Sequence, residues 1–364
     1  MYESYAETEQ PNKFRAFLKR KNIVFSAKRY GIDAMSAMAQ GLFASLLIGT
    51  IIGTLGQQLG LDYLVEVSKY CKESAVVGAA MAVAIAYALQ APPLVLFSMV
   101  TVGAATNILG GAGGPLAVLV VAIVAAECGK AVSKETKVDI LVTPIITIFI
   151  GVAFASLCAP AIGAGANWVG KVIMMATELQ PFLMGIIVSV LVGIALTLPI
   201  SSAAICAALG LVGLAGGAAV AGCCAQMVGF AVMSFKENGW GGIVSQGIGT
   251  SMLQMGNIVR NPRIWIPPTL ASAITGPIAT CIFQLKMNGA PVASGMGTCG
   301  FVGQIGVYTG WINDVAAGTK AAITPMDWIG LILICFVLPA VLTFIFGELF
   351  RRAGWIREGD LKLD

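Results

Sequence analysis

From Leu179 to Phe235 the chain runs 57 residues without a charged side chain and from Ser74 to Ala126 it runs 53, and shorter charge-free stretches occupy Ala34 to Leu61 and Ile140 to Gly170. A domain folded in water carries charge on roughly a quarter of its residues. Here Met1 to Gly31 and Arg351 to Asp364 hold 17 of the 40 charges, and the 319 residues between them hold 23. Segments this apolar are at home in hydrocarbon, where every backbone N–H and C=O must find its partner within the segment or its bundle. The expectation is an all-α, polytopic integral membrane protein.

About 20 residues cross a bilayer core, so the longer stretches hold more than one crossing. Pro92 and Pro93, the run Gly110, Gly111, Gly113 and Gly114, and Pro199 with Ser201 and Ser202 interrupt them, because proline and glycine end helices. The predicted spans are 34–56, 74–91, 94–109, 115–129, 138–159, 181–199, 203–235, 240–258, 264–285 and 328–349. About ten crossings, some broken or re-entrant at Gly-rich segments, then join three regions: a basic amphipathic arm over 1–31, one transmembrane domain over 32–350 and a basic tail over 351–364. With the N-terminus in the cytoplasm, sixteen basic residues fall inside and six outside (Lys69, Lys72, Lys171, Lys236, Lys286 and Lys320), as the positive-inside rule requires. The arm mixes Phe14, Phe17 and Phe25 with basic residues and suits an anionic leaflet, better than nucleic acid. No cleavable signal peptide is visible, and Ile162 to Thr177 is either an interfacial helix or a connecting loop.

Two short elements repeat: Gly247-Ile248-Gly249-Thr250 and Gly295-Met296-Gly297-Thr298. Glycine admits close backbone approach, and irregular backbone inside a membrane is tolerated only where protein buries it or it lines a wet cavity. The elements read either as broken helices meeting at a solute or as packing motifs. Polar side chains in apolar stretches extend the candidate solute site: Thr250, Gln254, Asn257, Thr298, Gln304, Asn107 and Gln226, with Gly247, Gly249, Gly295 and Gly297. Glu127 is the possible titrating group, although its place beside Lys130 near a span end favours a solvated ion pair. The chain has no histidine, which removes phosphohistidine and histidine-metal chemistry. The nine cysteines lack CxxC spacing. No metal, cofactor or catalytic residue is expected.

The run Gly110-Gly111-Ala112-Gly113-Gly114-Pro115, the segment Thr197-Leu198-Pro199-Ile200-Ser201-Ser202, the two Gly-x-Gly-Thr elements, Gly256-Asn257-Ile258 and Asn261-Pro262 together resemble the second enzyme IIC family of the bacterial phosphoenolpyruvate-dependent phosphotransferase system, which includes perfringolysin-regulator-like membrane proteins. The resemblance implies a homodimeric permease subunit in the bacterial plasma membrane that moves a sugar or sugar-like solute by alternating access, with separate IIA and IIB proteins relaying phosphate. It also implies a histidine at the sugar, which this chain lacks, so no catalytic residue is carried over. Two other functions stay open: a membrane sensor with the same fold, and an ion-coupled transporter of a small anionic solute.

Overall fold

The computed structural model describes residues 13–363, and among these the regular structure is helical, with an isolated bridge between Gly213 and Met287. Residues 1–12 of the expected arm lie outside the described residues. The arm's helix α1 (Lys13–Arg20) buries no side chain. The chain after it docks on the bundle. Lys21 bonds the Ser133 carbonyl and pairs with Glu135, Asn22 bonds Gln90 at 2.6 Å, and Arg29 donates to the Leu89 carbonyl.

Helix α2 (Arg29–Leu59) leads away from this face. α3 (Asp62–Lys72) and α4 (Ser74–Ala88) return as one traverse bent by 57°. α5 (Pro93–Gly110) and α6 (Gly114–Val132) form an antiparallel hairpin: Gly129 sits against Val95 at one end, and Gly114 against Asn107 at the other. α7 (Asp139–Thr177) is one helix of 39 residues, about 58 Å at 1.5 Å per residue. The expected span 138–159 and the segment 162–177 are therefore continuous. Pro160 does not break the helix, as is common where neighbouring helices accommodate a lost backbone bond.

α8 (Pro181–Thr197) ends at Leu198-Pro199, and the short α9 (Ser202–Ala208) doubles back. α10 (Gly213–Met233) is the central helix, with 94% of its most apolar window buried. Its small residues allow this. A Cβ on Gly217 would lie 1.7 Å from the Leu285 carbonyl, and one on Gly222 would lie 1.8 Å from that of Ser189, so neighbouring backbones touch it directly. The remaining helices are α11 (Phe235–Val244), α12 (Met255–Arg260), α13 (Ile266–Pro277), α14 (Val302–Ala316) and α15 (Pro325–Arg352).

Contacts give the faces. Gly31 and Ser36 of α2 meet Val259 and Gly256, so the start of α2 and the end of α12 share a face. Arg351 bonds Glu237 at 2.8 Å and the Met233 carbonyl at 3.1 Å, and Lys236 pairs with Glu348. Lys236 thus lies on the terminal face, against the expectation that it lies opposite. Segment 235–260 is not a crossing. Asn238 and Asn257 both bond the C-terminal tail, so its two ends leave by the terminal face. On the opposite face Asn288 donates to both Asp314 oxygens, at 2.8 and 3.1 Å, which makes 288–314 a second hairpin entering from the other side. The path from face to face therefore uses α2, α3–α4, α5, α6, α7, α10, α13 and α15. Among the described residues, five helices, or six with the bent pair, are long and apolar enough to span by themselves.

Candidate solute site

Four backbone breaks, three of them at proline or glycine, converge on one place. These are the α3–α4 joint, the α5–α6 turn, the α8–α9 joint and the interruption at Thr250. Thr250 is extended (φ −160°, ψ 143°), and its hydroxyl accepts from the Met252 N–H at 3.1 Å, starting the turn that leads the hairpin back out. Ser201 caps α9 by accepting from the Ala204 N–H at 3.2 Å, while its own N–H donates to the Ala112 carbonyl at 2.9 Å. Ser202 donates to the Gly295 carbonyl at 2.7 Å. Asn107, buried on α5, donates to the carbonyl and hydroxyl of Ser74 at 2.8 and 3.1 Å.

Between these breaks lie two adjoining chambers, of about 300 and 550 Å³, within the usual range for small-molecule sites. Leu46, Lys72, Ser201, Ala203, Ala204 and Met296 line both. The smaller chamber adds the polar groups of Ser74, Asn107, Ser202 and Thr250. The larger continues along α2 past Thr50, Thr54 and Gln57, toward the face opposite the termini. In the other direction the route is filled by Met252, Gln246 and Gln254, all buried, and by the C-terminal tail.

The sequence-predicted residues divide between this cavity and other contacts. Thr250 and Asn107 line it. Gln254 and Asn257 do not, contrary to the expected common cavity. Gln254 donates to Gln246 at 2.8 Å and to the Leu361 carbonyl at 2.9 Å, and Asn257 donates to Gln254 and to the Lys362 carbonyl, both at 2.8 Å. Both hold the tail. Thr298 and Gln304 face the sulfurs of Met227 and Cys224 on α10, at 3.5 and 3.2 Å, and the Gln304 side-chain oxygen has no partner among the described residues. Gln226 accepts from the Trp265 indole at 2.9 Å and from Thr197 at 3.3 Å in a closed buried network.

The glycines of the second element meet protein: a Cβ on Gly295 would lie 2.5 Å from the Ser202 carbonyl, and one on Gly297 would lie 2.7 Å from the Cys223 Cβ. Gly249 faces the Phe43 ring, and Gly247 has only Ala231 nearby. The two elements sit at the tips of hairpins entered from opposite faces, and 245–249 packs on 299–301. Glu127 lies away from the cavity, paired with Lys130 at 2.8 Å and accepting from Tyr30 at 3.1 Å. This pair is buried, not solvated as expected, since the Lys130 side chain is 1% exposed. Sequence reasoning missed Lys72, Thr50, Thr54 and Gln57. Lys72 read as a loop charge because Cys71-Lys72-Glu73 resembles a connection, whereas it is the joint of a bent traverse.

Apolar helices whose backbone breaks gather around a polar cavity, stopped toward one face and extending toward the other, define a membrane transport protein of the broken-helix class. A family model, "Phosphotransferase system, EIIC", matches residues 32–363. The chain belongs to that family, whose members are membrane permease subunits for sugar transport. No curated protein and no solved structure matches it.

Proposed function

We propose that the chain carries a sugar-like solute across the bilayer through the paired chambers, by movement of the two oppositely inserted hairpins against the central α10. The cavity itself supports this reading: hydroxyl and amide groups from four separate helix breaks line one space large enough for a monosaccharide. The state described is then the one that admits solute from the opposite face, with the terminal side shut.

The terminal face is assigned to the cytoplasm. With Lys236 moved to it, that face carries all the basic residues except Lys69, Lys72, Lys171, Lys286 and Lys320, which strengthens the positive-inside bias. The chain has no histidine, so on this reading any phosphoryl transfer to the solute comes from separate IIA- and IIB-type proteins on the cytoplasmic side.

Uptake of labelled sugars by proteoliposomes tests the proposal. Ala204 lines both chambers and is only partly buried, so Ala204→Phe narrows the space while leaving the packed core alone. The expected result is loss of uptake with an unchanged melting temperature. Undiminished uptake by a folded Ala204→Phe protein overturns the cavity as the route, and ligand binding by wild type without any uptake favours the sensor reading instead.

A further inference from the structure

We propose that the solute is an anion, a polyhydroxy acid or a sugar phosphate, with Lys72 as the counter-charge that selects it. The inference rests on the transport-cavity reading and adds the chemical class of the solute. Lys72 is the last residue of α3 and lines both chambers. Its ammonium lies against Gly53 of α2, 3.3 Å from where a Cβ on that glycine would be, beside Thr50 and Thr54 of the larger chamber. Among the described residues no aspartate or glutamate lines either chamber. A cavity with one cation and no anion, walled mostly by Leu, Ile, Val, Met and Ala, carries a positive potential that low-dielectric surroundings strengthen.

Lys72 is exposed within the cavity, whereas the buried or half-buried lysines are ion-paired. Lys130 is paired with Glu127, Lys320 with Asp327 and Lys21 with Glu135. Lys72 forms no ion pair among the described residues. The hydroxyl residues Ser74, Ser201 and Thr50 line the same chambers as Lys72. Hydroxyls of Ser201, Ser202 and Thr250 with the Asn107 amide then address the uncharged part of the solute. A neutral sugar would use these groups and leave the ammonium without a partner; a carboxylate or phosphate uses both.

The test is ligand-induced stabilisation of the full chain in detergent, read as a dose-dependent rise in melting temperature. The probes are matched by charge: gluconate, glucuronate and glucose 6-phosphate against glucose and sorbitol, with inorganic phosphate as a bare anion. The expected result is stabilisation by a carboxylate or phosphate sugar and little by its neutral partner. Lys72→Gln should weaken that binding about 10- to 100-fold, the range for a hydrogen bond to a charged group, and Lys72→Arg should retain most of it. Which of the two anion types stabilises identifies the source of the charge. Equal binding of neutral sugars, unaffected by Lys72→Gln but lost in Ala204→Phe, overturns the anion while leaving the cavity as the site. Stabilisation by none of the probes overturns both.

Discussion

Replacing Gly297 by alanine should destabilise the protein by about 2–5 kcal/mol, whereas the same change at Gly247, at the matching place in the first Gly-x-Gly-Thr element, should be close to neutral. Two terms act at Gly297. Its φ of +54° lies in the left-handed region, which costs a residue bearing Cβ about 1–2 kcal/mol. The added methyl would also stand 2.7 Å from the Cys223 Cβ, 2.9 Å from the Cys223 carbonyl carbon and 3.0 Å from the Cys224 nitrogen. These atoms belong to the central helix α10, buried on all sides, so they cannot retreat as a flexible side chain would. Overpacking of this kind costs about 1–3 kcal/mol more. At Gly247 φ is negative and the nearest atom, the Ala231 Cβ, lies at 3.5 Å, an ordinary contact. Alanine there loses little and restricts the unfolded chain, a gain of about 0.4–1 kcal/mol. Chemical unfolding in detergent, run on both variants and wild type, reads the difference. A Gly297→Ala protein within about 0.5 kcal/mol of wild type, the scatter of inert substitutions, would refute the assignment of the second element to close packing against α10.

Two further outcomes follow from polar groups outside the cavity. Gln304→Met should be neutral or stabilising by up to about 2 kcal/mol, because it removes a buried oxygen that has no partner; marked destabilisation in the same unfolding assay would mean that this oxygen is satisfied in the working protein. The Glu135 carboxyl is held below its ordinary value by the hydrogen bond from Lys21 and then by Arg20. A lowered value favours the docked arm fully above the ordinary carboxylate pKa of about 4.3 and loses that contribution as pH falls through the lowered one. Fluorescence anisotropy of a label at Phe25→Cys should therefore drop in acid, and Glu135→Gln should reproduce the drop at neutral pH; pH-independent anisotropy would refute the anchor.

Much of the fold is legible in the sequence because charge and backbone chemistry are local. The ends of α4, α5, α6 and α8 fall within a few residues of the proline and glycine breaks, and the basic termini share one face. What local chemistry does not encode is direction. Residues 240–258 are as apolar as a crossing helix, and only contacts with Leu361 and Lys362, more than a hundred residues away, reveal that they turn back. The same distance hid the roles of Gln254 and Asn257. A polar side chain in an apolar stretch must find a partner, but the sequence does not say whether that partner is solute or protein. Thr250 and Asn107 reach the cavity because they sit at or beside breaks, whereas Gln226 sits mid-helix and is satisfied by Trp265. Lys72 escaped notice because a charge between two helices looks like a solvent-facing loop until both helices prove to be halves of one traverse.

The C-terminal tail has a consequence for how the protein is made. Leu361 is fully buried, and its carbonyl accepts from Asn238 at 2.8 Å and from Gln254 at 2.9 Å, while the Leu363 N–H donates to Asn238 at 2.9 Å. These residues follow the hairpin at 235–260 by about a hundred positions in the chain, yet they close it. Until Leu361 to Leu363 have been synthesised and have docked, Asn238, Gln254 and Asn257 lack these partners. The hairpin is therefore made well before the segment that latches it.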